Sequence, residues 1–104
     1  MPEVLDRFIR YVQIDTQSAR DSETYPSTAK QLDLLRLLAE ELKQIGMQDV
    51  RMDHYGYVTA TLPANNSKAS PVVGFLAHVD TSPDASGANV HPRVIEHYEG
   101  GEIV

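Results

Sequence analysis

His78 and Asp80 stand two residues apart at the end of an unbroken apolar run, Val72-Val73-Gly74-Phe75-Leu76-Ala77. Side chains two apart on an extended strand point the same way, so the imidazole and the carboxylate share a side and Val79 faces away. In α/β sheets the carboxyl end of a strand is where ligands bind. An imidazole nitrogen suits zinc, and a nearby carboxylate can orient a ligand histidine or tune its basicity. The same residues fit a plainer role, a neutral His and a turn-forming Asp before Thr81-Ser82-Pro83. The H-x-D spacing alone leaves both open, because the motif is short.

The rest of the chain narrows the available chemistry. With no cysteine, it has no disulfides, thiolate zinc sites, iron–sulfur clusters or thiol nucleophiles. Metal chemistry is left to His, Asp and Glu. His54 falls in an expected turn and reads as an exposed turn residue. His91, Glu96 and His97 are close in sequence, but their spacing fits no helical zinc motif. Glu40-Glu41, the only adjacent glutamate pair, lies on an expected helix, where a solvated face accounts for it. Asp15 and Thr16 follow a helix end, where capping or turn formation accounts for them.

These side chains need elements to hold them. Val4, Leu5, Phe8, Ile9 and Val12 recur at helical spacing and predict a short helix over about Pro2 to Gln13, with Pro2 in its first turn. A polar loop follows through Tyr25-Pro26. A second helix is predicted over about Thr28 to Ile45, opened by a Thr28/Gln31 capping box and stopped by Gly46. Leu32, Leu35, Leu38, Ala39, Leu42 and Ile45 form its buried face, widened by Leu34 and Leu37. Alternation around Val50 and Met52, then Val58, Ala60 and Leu62, predicts a hairpin turned by His54-Tyr55-Gly56. Pro63 to Ser70 reads as a loop.

Val72 to Ala77, apolar at every position, reads as a strand covered on both faces. A further strand is predicted at Arg93 to His97, then a Gly100-Gly101 turn, with Ile103 and Val104 opening another element. Two helices and about four strands are too few to cover such a central strand on both faces and both edges. The expectation is therefore an α/β fold, the first part of a domain with a mixed central sheet flanked by helices. Residues 1–104 would form an incomplete domain without an internal boundary, prone to self-association through exposed sheet edges.

Length and composition agree with one globular domain. The chain has 104 residues, 41% hydrophobic and 23% charged, which excludes collagen and low-complexity disorder. Its net charge of −6, without a basic cluster, argues against nucleic-acid partners. No apolar run approaches the ~18 residues of a membrane span, and the charged start lacks the apolar core of a secretory signal. A cytoplasmic protein without a membrane partner is the expectation.

One longer stretch carries more information than H-x-D. Gly74 through Asp84, continued by Ser86-Gly87-Ala88-Asn89-Val90, resembles the tripeptide-aminopeptidase branch of the dinuclear zinc peptidase family. Tyr11-Val12-Gln13-Ile14-Asp15-Thr16-Gln17-Ser18, Pro26-Ser27-Thr28 with Gln31, and Glu99-Gly100-Gly101-Glu102-Ile103 resemble it in the same order. The resemblance covers essentially the whole chain. It implies that His78 is a zinc ligand and that Asp80 is the catalytic aspartate, which orients the ligand and is not itself one. It brings Asp15 and Thr16 toward the rim of the active site without a role. The family's bridging aspartate, its Glu-Glu pair, its further carboxylate and its late histidine have no matching position here.

The resemblance also implies a reaction. Two zinc ions would lower the pKa of a water between them, for attack on the first peptide carbonyl of a bound tripeptide. A glutamate would move the proton to the leaving amine. Even a single catalytic zinc takes three protein ligands, so this chain alone is expected to be inert. Three rivals stand beside this reading: a dipeptidase or deacylase of the same family, a truncated non-catalytic interaction protein, and a small domain that binds through a sheet edge. Pocket residues would separate the first. A monomeric, cooperatively unfolding chain would favour the other two.

Overall fold

Two helices and a hairpin form where the apolar periodicity changes from helical to alternating. A computed structural model describes residues 3–104, so the role expected of Pro2 lies outside the described residues. The order is α1 (Glu3–Val12), α2 (Gln31–Gln44), β1 (Gln48–Met52) and β2 (Val58–Thr61). The chain is thus mixed α/β, with a two-stranded antiparallel sheet packed against α2.

α2 begins three residues later than its expected start. The Thr28/Gln31 capping box does not form: the Gln31 backbone N–H donates to the carbonyl of Thr28, not to the side chain of Thr28. Its hydroxyl donates to the Gln17 carbonyl at 2.8 Å, while the Gln31 side-chain amide reaches Thr28 Oγ1 at 3.0 Å. Lys30 is the N-cap residue and has no side-chain capping bond. The other end follows expectation. Gly46 takes a φ of 89°, its N–H donates to the Lys43 carbonyl, and the Met47 N–H donates to the Leu42 carbonyl. That is the paired closure of a Schellman motif.

The hairpin turns at Asp53–Tyr57. The Asp53 N–H donates to the Tyr57 carbonyl at 3.0 Å, and Asp53 Oδ1 accepts the N–H groups of Tyr55 and Tyr57. Gly56 has a φ of 92°, and a Cβ there would lie 3.1 Å from Leu35 Cδ1, so the turn sits close on α2. The register slips by one residue between Gln48 and Arg51, where Asp49 has a φ of 51°. This bulge breaks the expected alternation: Val50 is half-buried while Met52 is exposed.

Among the described residues the buried apolar side chains are Leu34, Leu35 and Ala39. At roughly 1.5–3 kcal/mol for a buried leucine, that is a thin core. Ile45, expected inside, is exposed, as are Val4 and Phe8 of the α1 stripe. The radius of gyration is 17.1 Å, against about 13 Å for a compact chain of this size.

The largest departure from expectation is Val72 to Ala77. It forms no strand, and Val72, Phe75 and Leu76 are 99%, 95% and 96% exposed. The residues Arg93 to His97 likewise form no strand. The reason is the same in each case. A strand needs a neighbour to take its N–H and C=O groups, and the described residues supply none.

Candidate functional site

His78 and Asp80 are in contact, in a segment that forms no strand. His78 Nδ1 lies 2.9 Å from Asp80 Oδ1 and 2.9 Å from the Asp80 carbonyl oxygen. Both oxygens accept, so the neutral ring satisfies them as the Nδ1–H tautomer. That leaves the Nε2 lone pair free, on an imidazole that is 82% exposed. A histidine bound to a metal through one nitrogen commonly donates its other N–H to a carboxylate, which is the relation seen here.

The donor set fits one ligand position. Among the described residues no group of three His, Asp or Glu side chains could hold a metal ion. His91, Glu96 and His97 are exposed and form no such group, and His54 is an exposed turn residue whose ring lies tilted by 41° against that of Tyr55, with centroids 3.8 Å apart. Beside His78 and Asp80 runs a groove of about 920 Å³, with Leu35, Leu38, Val58, Phe75 and Tyr57 along its walls.

The loop after α1 meets the segment after Asp80. The Thr81 N–H donates to the Thr16 carbonyl at 3.1 Å, and the Ser18 N–H donates to the Thr81 carbonyl at 2.9 Å, an isolated parallel bridge. The Gln17 side-chain amide donates to the Pro83 carbonyl at 3.1 Å, and Arg20 pairs with Asp84. Thr16 is 3% exposed. Asp15 takes the Gln17 N–H on Oδ1 at 3.0 Å and the Lys30 ammonium on Oδ2 at 2.8 Å. Lys30 and then the Gln17 N–H hold the Asp15 carboxyl below its ordinary range. Turn chemistry at Asp15 is therefore present, and the same loop also abuts the His78–Asp80 segment.

Glu41 corrects the reading of Glu40-Glu41 as a solvated pair. Glu40 is exposed and pairs with Lys43 at 2.7 Å, but Glu41 is 7% exposed. Arg7 reaches it at 2.7 Å, and Arg10 and Tyr11 also bond its carboxylate. Burial pushes the Glu41 carboxyl up, but Tyr11, Arg10 and Arg7 together outweigh it and hold the group below its ordinary range. The signal was present in α1: Arg7, Arg10 and Tyr11 sit at i, i+3 and i+4, one polar face of a helix. Glu41 ties α1 to α2 and takes no part in the His78–Asp80 site.

Among the described residues no helix is long and apolar enough to cross a membrane. No protein-family model matches the chain. Curated relatives do. The chain is 58% identical over 102 residues to a peptidase T of Geobacillus thermodenitrificans, covering 98% of this chain and 25% of that relative. It is 57% identical over 104 residues to a peptidase T of Desulfitobacterium hafniense, and 53% over 104 residues to one of Clostridium botulinum. Each of these two matches covers 100% of this chain, and 25% and 26% of the relative. The chain thus spans about a quarter of the length of the curated relatives it matches, and over its whole length it resembles an N-terminal portion of peptidase T.

Proposed function

We propose that this chain is an N-terminal portion of a cytoplasmic, zinc-dependent tripeptide aminopeptidase, in which His78 is a zinc ligand and Asp80 the carboxylate that orients it. The observation that carries the reading is the His78–Asp80 pair. Its Nδ1–H is taken by Asp80 at 2.9 Å, and its Nε2 is left for a ligand. The similarity to peptidase T over the whole chain supports it.

Bound zinc would supply Lewis acidity at that position. The chain's own residues do the rest of what can be assigned. Asp80 fixes the tautomer of His78 and, as an acceptor of its proton, makes the imidazole a stronger donor through Nε2. The loop from Asp15 to Ser18 holds the segment that follows. One ligand nitrogen does not hold a catalytic zinc, which takes three protein ligands. We therefore propose that the 104-residue chain by itself does not hydrolyse tripeptides, and that the complete enzyme does.

The test starts with the natural gene product, isolated intact and weighed. A mass several times 11.6 kDa, zinc in the purified protein and release of the N-terminal residue from tripeptides support the reading. His78→Ala in that protein should then abolish most activity and weaken one zinc site. Unchanged zinc content and unchanged turnover in His78→Ala would overturn the ligand assignment.

A further inference from the structure

Residues 71–77 approach His78 as an unpaired, exposed segment, so nothing on that side fixes the imidazole. On the other side the constraint is concentrated. Among the described residues, backbone hydrogen bonds tie the chain beyond Pro63 to the rest only through Thr81, the residue next to Asp80. Both partners of Thr81, Thr16 and Ser18, belong to the loop after α1. That loop is itself anchored to the start of α2, through the Thr28 hydroxyl on the Gln17 carbonyl and Lys30 on Asp15.

Gly87 shows how closely the two loops must approach. Its φ is not positive, so backbone conformation does not call for glycine. Space does: a Cβ at Gly87 would lie 2.5 Å from Asp15 Oδ1, and 3.3 Å from both Gln17 Cβ and Gln17 N. Asp15 cannot simply swing away, because Oδ1 holds the Gln17 N–H and Oδ2 holds Lys30. A side chain at Gly87 must therefore lift the 83–88 segment from the 15–17 loop.

We infer that the loop Asp15-Thr16-Gln17-Ser18 is a positioning element for the His78–Asp80 pair, keyed by the missing side chain of Gly87 against Asp15. Asp15, Gln17 and Gly87 are positioning residues: they act on the ligand imidazole through Thr81 and Asp80. The inference rests on the reading of His78 and Asp80 given above, but its test needs neither metal nor activity.

The experiment is nuclear magnetic resonance of the 15N-labelled full chain at about pH 8.5, where an ordinary imidazole is neutral. Long-range 15N–1H couplings report the tautomer of the His78 ring. Amide signals of α2 and the hairpin report the fold. The wild-type ring should be mainly Nδ1–H. Gly87→Ala should lower the ratio of Nδ1–H to Nε2–H roughly fivefold, the size of one ordinary hydrogen bond, with α2 and hairpin signals unchanged. In an Asp15→Ala background, adding Gly87→Ala should change the ratio much less, since the 2.5 Å collision is gone and only the 3.3 Å contacts with Gln17 remain.

A ratio unmoved by Gly87→Ala would overturn the inference, as would a full additional effect in the Asp15→Ala background. Should Gly87→Ala lose the α2 and hairpin signals, Gln17→Ala decides instead. It removes the bond to the Pro83 carbonyl, a shift toward Nε2–H supports the inference, and no shift overturns it. The peptidase reading fails separately, on zinc content and tripeptide turnover.

Discussion

Arg7 on α1 donates to Glu41 on α2 at 2.7 Å, joining two helices whose partners lie 34 residues apart in the chain. Glu41 is buried at this junction and also bonds Arg10 and Tyr11. Removing the carboxylate takes the acceptor from Arg10 and the Tyr11 hydroxyl and leaves Arg7 with Glu3 alone. Glu41→Ala should cost about 1–2 kcal/mol, less than a fully buried pair because the arginines are partly solvated. Urea unfolding and amide exchange would check this. The α1 amides should lose protection while those of the hairpin keep theirs. A change within about 0.5 kcal/mol, the range of ordinary surface substitutions, would mean that the cluster does not hold α1.

Acid should loosen this junction and the Asp15–Lys30 contact of the loop after α1. Glu41 and Asp15 are both held below their ordinary values of 4.5 and 3.8. A carboxylate whose folded pKa is depressed stabilises the fold fully above its unfolded pKa, and that contribution is lost as pH falls through the folded one. Stability should therefore be level above these ordinary values and decline steadily on acidification below about 4.5. Glu41→Gln with Asp15→Asn should flatten the decline. Thermal melts across a pH series would read it, and an unchanged slope in the double variant would remove both groups from the account.

On the proposed reading, Asp80 and His78 should separate in the complete protein. Losing the carboxylate that orients a ligand histidine typically costs 10–100-fold in metal affinity or activity. Asp80→Ala is expected to cut turnover by about that much while most zinc is retained. His78→Ala should lose zinc from one position along with activity. Metal analysis beside tripeptide turnover distinguishes them. Equal loss of zinc and turnover in Asp80→Ala would make Asp80 a ligand.

The apolar segment before His78 should drive association. Leu76 is 96% exposed and Phe75 95%, so neither contributes much to the fold of the chain. Unpaired backbone beside such side chains is a template for pairing with another chain. Sedimentation of the isolated chain should show mass rising with concentration. Leu76→Lys should suppress this while leaving the unfolding midpoint within about 0.5 kcal/mol of wild type. A chain that stays monomeric at high concentration would show that the segment is not a pairing surface.

Local chemistry was enough to place α1, α2 and the hairpin within a few residues, because each rests on periodicity, a left-handed glycine or a turn carboxylate acting over short distances. Gly46 closing α2 and Gly56 in the hairpin turn are of this kind. The His78–Asp80 contact is also local, between residues two apart in the chain. Tertiary contacts decided the rest. Whether Val72 to Ala77 becomes a strand depends on neighbours, and an apolar run encodes the demand for cover without supplying it. Whether Glu41 is solvated depends on Arg7, Arg10 and Tyr11 arriving from another helix. The Thr28 hydroxyl donates to the Gln17 carbonyl, a partner that only the folded loop brings within reach. The reach of Gly87 to Asp15 likewise spans loops that no local rule connects. Short-range preferences are written in residue type and spacing, while burial and partner choice are properties of surfaces that exist only once distant segments meet.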